Sequence, residues 1–67
     1  MTIQINDEPR TVPTDATVHS VLRELGLSER KGLAIAINDH VVPRATWPQR
    51  LLAESDRLLV IQATQGG

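Results

Sequence analysis

Apolar and polar residues alternate where the chain begins. Ile3 and Ile5 are interleaved with Thr2 and Gln4, the period of two expected of a strand buried on one face. Asn6-Asp7-Glu8-Pro9 is a run of turn residues, and Arg10-Thr11-Val12 predicts a short return strand, so the segment reads as a hairpin. Pro13 to Thr17 is a connector ending in a helix N-cap, Thr17, with Asp15 as the alternative. Val18, Val21, Leu22 and Leu25 then recur at helical spacing as one apolar stripe. Gly26 is a natural stop, and Leu27 closes the end of the core. The period returns to two in Leu33-Ala34-Ile35-Ala36-Ile37, where large and small apolar residues alternate. Asn38-Asp39 predicts a tight turn, and His40-Val41-Val42 a strand stopped by Pro43. Arg44 to Gln49 is expected to be irregular or a single helical turn, with Leu51 and Leu52 as apolar bulk beneath it. Glu54-Ser55-Asp56 is a further turn, and Arg57 to Ala63 the last strand.

The predicted order is strand, strand, helix, strand, strand, strand: an α+β domain over residues 1–63 with a flexible tail at 64–67. One helix between two groups of strands requires a mixed sheet of about five strands wrapped over that helix. The first and last strands are expected side by side. If Leu58 and Val60 face the helix, Leu59 and Ile61 face outward beside the small Ala34 and Ala36. Such a patch is expected to dock a partner. The competing reading is a second buried face.

Composition narrows the chemistry. The 67 residues contain no cysteine, which excludes disulfides, thiolate metal sites and a cysteine nucleophile. The two histidines, His19 and His40, are not in a ligand-spaced cluster and read as solvated surface residues. Seven basic and eight acidic residues are interspersed, and Trp47 is the single aromatic residue. Neither a basic stripe nor a stacking platform for nucleic acid is present. No apolar run spans a membrane and no secretory signal is visible, so the expectation is a cytoplasmic protein. Trp47 reads as a partly buried plug at the core edge. Arg44 reads as an exposed arginine or one that pairs with an acidic partner surface.

The tail, Thr64-Gln65-Gly66-Gly67, carries the functional reading. Terminal glycines add no packing and cost conformational entropy. Their advantage is slenderness: four extended residues reach about 13–14 Å, and the Gly67 carboxylate can enter a narrow channel in another protein. A carboxylate is a poor electrophile and must be activated, for example as an acyl-adenylate made from ATP. That chemistry needs no side chain from this chain. No nucleophile–base set, phosphate loop or paired acids is evident, so the chain reads as a substrate, not an enzyme, and needs no cofactor.

Ala36-Ile37-Asn38, Val42-Pro43-Arg44 and Trp47 together resemble the AINxxxVPRxxW segment of the thiamine-biosynthesis sulfur carriers, the ThiS family of ubiquitin-like β-grasp proteins. Thr17-Val18-His19 ahead of a Leu-rich helix and the final Gly66-Gly67 resemble that family too. The resemblance covers the whole chain. It implies that an E1-like adenylyltransferase (ThiF) adenylates Gly67, and that a persulfide sulfur donor converts it to a thiocarboxylate. It further implies that this group gives sulfur to thiazole synthase (ThiG). Thr64 and Gln65 occupy positions that say little about the partner. The alternatives are the small subunit of molybdopterin synthase, a protein modifier that forms isopeptide bonds, and a non-catalytic β-grasp binding module.

Overall fold

The computed structural model describes residues 1–62. Strands β1 (Thr2–Ile5) and β2 (Glu8–Thr11) precede helix α1 (Val18–Glu24). Strands β3 (Leu33–Ile37) and β4 (His40–Val42) follow, then a 3₁₀ turn at Arg44–Thr46 and strand β5 (Arg57–Gln62). The sheet order is β2-β1-β5-β3-β4. The first and last strands are neighbours and run parallel, with Ile5 opposite Leu58; the other three pairings are antiparallel. This is the expected α+β grasp.

The first hairpin turns more tightly than its turn-rich sequence suggests. Asn6 and Asp7 alone form the turn, both at positive φ (51° and 69°), and Glu8 and Pro9 already belong to β2. Asn and Asp tolerate this left-handed region, which a two-residue hairpin requires twice. Pro9 is accommodated because β2 is an edge strand. The β3–β4 turn repeats the device with Asn38 (49°) and Asp39 (73°).

Thr17, not Asp15, caps the helix. Its Oγ1 accepts from the Ser20 amide at 3.1 Å, and the Ser20 hydroxyl oxygen accepts from the Thr17 amide at 2.9 Å, a reciprocal capping box. At the other end Gly26 lies at φ 75°. The Leu27 amide bonds the Leu22 carbonyl at 2.8 Å and the Gly26 amide bonds that of Arg23 at 3.0 Å, which is a Schellman closure. Leu25 and Leu27 pack partly buried against the core.

Val18, Val21 and Leu22 of the helix meet Ile3, Ile35, Ile37 and Leu58 of the sheet in one cluster. Three sequence expectations change here. Trp47 is no edge plug: it is 2% exposed, and its Nε1–H donates to the Val42 carbonyl at 3.0 Å. A buried indole needs such an acceptor. Leu52 is buried as expected, but Leu51 is 57% exposed. The backbone at 51 bridges to Thr17, and adjacent extended residues point to opposite sides. Ala36 is 8% exposed although it stands outside the helix-facing cluster.

Asp56 is the single buried charged residue among those described. Its carboxylate accepts from the Ala53 amide at 2.7 Å and from Asn38 Nδ2 at 3.0 Å. Replacing Asp56 with Ala is expected to cost about 3 kcal/mol in urea unfolding, because two donors lose a charged acceptor. Gly26→Ala is expected to cost only about 1 kcal/mol, for the left-handed backbone, since nothing lies within 4 Å of an added Cβ. A much larger loss would show a clash that the geometry lacks.

Candidate functional site

The register of the sheet determines which side chains share its outer face. Directly opposed residues project to the same side. Ala34 faces Ile61 and Ala36 faces Leu59 across β3–β5; Ala36 also faces Val41 across β3–β4. Val41, Ala36 and Leu59 thus form one row across three strands, with Ala34 and Ile61 beside it. The partly buried Val60 and the buried Leu58 pack with the helix-side core, as the period-two pattern requires.

Leu59 and Ile61 are 49% and 47% exposed, and Val41 74%. Leu59 and Ile61 are therefore not a second buried face. The small side chains of Ala34 and Ala36 leave them standing proud of the sheet. Val41 is a member of the patch missed by the sequence reading. The available signal was its place between His40 and Val42, which puts it on the face opposite the buried Val42.

Polar clamps hold β5 in the middle of the sheet. The Val60 amide donates to Asn6 Oδ1 at 2.8 Å, and the Asn6 amide to the Leu58 carbonyl at 2.9 Å. On the other edge the Arg57 amide donates to Asn38 Oδ1 at 3.0 Å, and the Asn38 amide to the Arg57 carbonyl at 2.9 Å. Each hairpin turn thus uses one asparagine both to reverse the chain and to anchor β5. Between the two turns, over Ala36, lies an open depression of about 350 Å³ walled by Asp7, Asp39, Arg57 and Leu59. It sits at the Arg57 end of β5, away from Gln62. The Arg57–Asp39 pair across it is 3.3 Å long and exposed, so it contributes little.

Arg44 is exposed, as expected, yet its guanidinium has partners within the chain. Its guanidinium lies 4.5 Å from the centroid of the Trp47 ring and donates to the carbonyls of Ser28 and Arg30. Among the described residues, His19 and His40 included, no three His, Cys, Asp or Glu side chains are grouped so as to hold a metal ion. No described helix is long and apolar enough to cross a membrane. Thr64, Gln65, Gly66 and Gly67 lie outside the described residues, as does Ala63. The described chain ends on Gln62, opposite Leu33 in the last pair of the β3–β5 ladder.

Comparison with known proteins agrees with this architecture. A crystal structure of the thiamine biosynthesis protein ThiS from Geobacter metallireducens superposes with a TM-score of 0.84 over the full length of both chains at 20% identity. A solution structure of a thiamine biosynthesis protein from that organism gives 0.78, over all of this chain and 88% of the other. In sequence, the sulfur carrier protein ThiS of Escherichia coli K12 is 36% identical over 67 residues, the whole of both chains. A thiazole synthase of Paramagnetospirillum magneticum is 33% identical over this entire chain, which spans 20% of that longer protein. The ThiS family model matches residues 3–67, and on that match and the full-length identity to a carrier the chain belongs to the ThiS family.

Proposed function

We propose that this chain is the sulfur carrier for thiazole assembly in thiamine biosynthesis, and that its reacting group is the α-carboxylate of Gly67. The full-length, 36% identical match to a sulfur carrier supports this reading most directly. The chain acts as a substrate throughout and supplies no catalytic side chain. A carboxylate oxygen of Gly67 attacks the α-phosphate of ATP on an E1-like adenylyltransferase, and pyrophosphate leaves. A persulfide sulfur then attacks the acyl carbon and AMP leaves. A thiol then attacks the donor cysteine's own sulfur in the resulting S–S bond, forming a disulfide with it and leaving the persulfide's outer sulfur on Gly67 as the thiocarboxylate. Ionised at its sulfur, that group is a good nucleophile for thiazole synthase. The partners and the process are cytoplasmic in this reading.

The thiazole synthase relative contains a segment similar to this entire chain, which supports thiazole synthase as the acceptor. The five residues after Gln62 reach at most about 18 Å when extended, enough to place a carboxylate inside a partner that docks against the sheet. The docking surface in this reading is the outer row of Leu59, Ile61, Ala34 and Ala36, extended by Val41. Its large side chains are between 47% and 74% exposed, and a patch of that kind on a small domain suits an interface.

Incubation with an adenylyltransferase, ATP and a persulfide donor is expected to give AMP, pyrophosphate and a mass increase equal to exchange of one oxygen for sulfur at Gly67. A residue appended after Gly67 should abolish the product; undiminished thiocarboxylate on such a variant would refute the reading. Branched lysine peptides in cell extracts would indicate a protein modifier. Leu59→Asp or Ile61→Asp should raise the KM for adenylation by about tenfold or more, as loss of an interface anchor does. Both should leave urea stability within about 1 kcal/mol, as expected of exposed positions. Parallel loss of stability and activity would assign these residues to the fold.

A further inference from the structure

Arg44 links the core to a loop that otherwise has little to hold it. Its anchor is Trp47, 2% exposed and hydrogen-bonded through Nε1 to Val42. With its guanidinium 4.5 Å from the indole centroid, Arg44 extends Nη1 to the Ser28 carbonyl at 3.3 Å and Nη2 to the Arg30 carbonyl at 2.6 Å. Among the described residues, segment 28–32 makes one backbone hydrogen bond of its own, from the Arg30 amide to the Leu27 carbonyl at 3.0 Å. The segment leads directly into Leu33, which is 8% exposed and stands opposite Gln62. Gln62 is five residues from Gly67. The clamp therefore bears on the strand pair from which the reactive end departs.

We infer that Arg44 is a positioning residue for the chemistry at Gly67: by holding the Ser28 and Arg30 carbonyls it keeps the end of the β3–β5 ladder, where Leu33 stands opposite Gln62 and Ala34 opposite Ile61, closed. The inference rests on the carrier function proposed above. Opening one strand pair lets the departure point move by about one residue, roughly 3.3 Å. A reacting carboxylate is sensitive to displacements smaller than that. Lysine is no substitute here. A single ammonium cannot lie flat on an indole while its donors fork to two carbonyls. The exposed sheet patch is untouched by the change, so docking and positioning separate in the kinetics.

The test pairs amide hydrogen exchange on the whole chain with steady-state adenylation by its adenylyltransferase. For Arg44→Lys, exchange at Ala34 and Ile61, the outermost hydrogen-bonded pair of the β3–β5 ladder, is expected to rise about tenfold, with Ala36 and Leu59 unchanged, as for a local opening. The kcat is expected to fall about fivefold with KM within about twofold, the pattern of lost positioning and retained binding. Arg30→Ala, which keeps the carbonyl, should leave kcat unchanged. An unaltered kcat in Arg44→Lys overturns the inference. So does a rise in KM alone, which would make Arg44 a partner contact, and so does faster exchange throughout β3 and β5, which would make its role purely structural. A loss of kcat in Arg30→Ala as large as that in Arg44→Lys overturns it as well. Failure of the unaltered chain to be adenylated overturns the proposed function itself, and the inference with it.

Discussion

The structure depends on the insertion of the last strand between the first and the third. β5 is paired on both edges, parallel to β1 and antiparallel to β3. Until it is in place β1 and β3 are not joined, and the helix lacks a continuous sheet to pack on. Residues far apart in the chain must meet for this, and such closure is entropically costly. Asn6, Asn38 and Asp56 offset that cost with directional hydrogen bonds to β5 and its approach. The two asparagines do so from the turns of the two hairpins. Chain reversal and strand docking are thus performed by the same side chains.

A central strand has two faces, and a single helix covers only one. Leu58 and Val60 pack toward the helix, whereas Leu59 and Ile61 remain in solvent. The outer face is apolar at its centre because Ala34 and Ala36 fill the space beneath the larger side chains without covering them. The architecture therefore leaves an uncovered sheet face beside the strand whose end leads to Gly67. The proposed carrier role uses both consequences at once, with the outer face for docking and the chain beyond Gln62 for chemistry.

The segment that most resembles the family, Ala36 to Trp47, works from inside the molecule. Asn38 anchors β5, Val42 accepts from the indole, Trp47 fills the core and Arg44 binds two loop carbonyls. Its specificity as a sequence signature follows from interlocking packing and hydrogen bonds. The chemistry proposed for the chain lies at Gly67, outside the described residues.

The amino-acid sequence by itself determined the element order, the helix stripe and its caps, and the alternation of faces along β1, β3 and β5. These follow from local periodicity and from backbone preferences at Thr17 and Gly26, which need no knowledge of distant neighbours. The alternation of Leu58 to Ile61 likewise placed Leu59 and Ile61 on one side of β5. Only the tertiary structure decided that this side is open, that Val41 joins it, that Trp47 is wholly enclosed and that Leu51 points outward. It also turned Arg44 onto a loop and made Asp56 a buried acceptor. Each of these depends on what stands opposite, and an arginine or aspartate carries no local mark of whether its partner is water or a carbonyl from a distant segment. Strand register and long-range hydrogen bonds supply that information, and they exist only once the chain has closed.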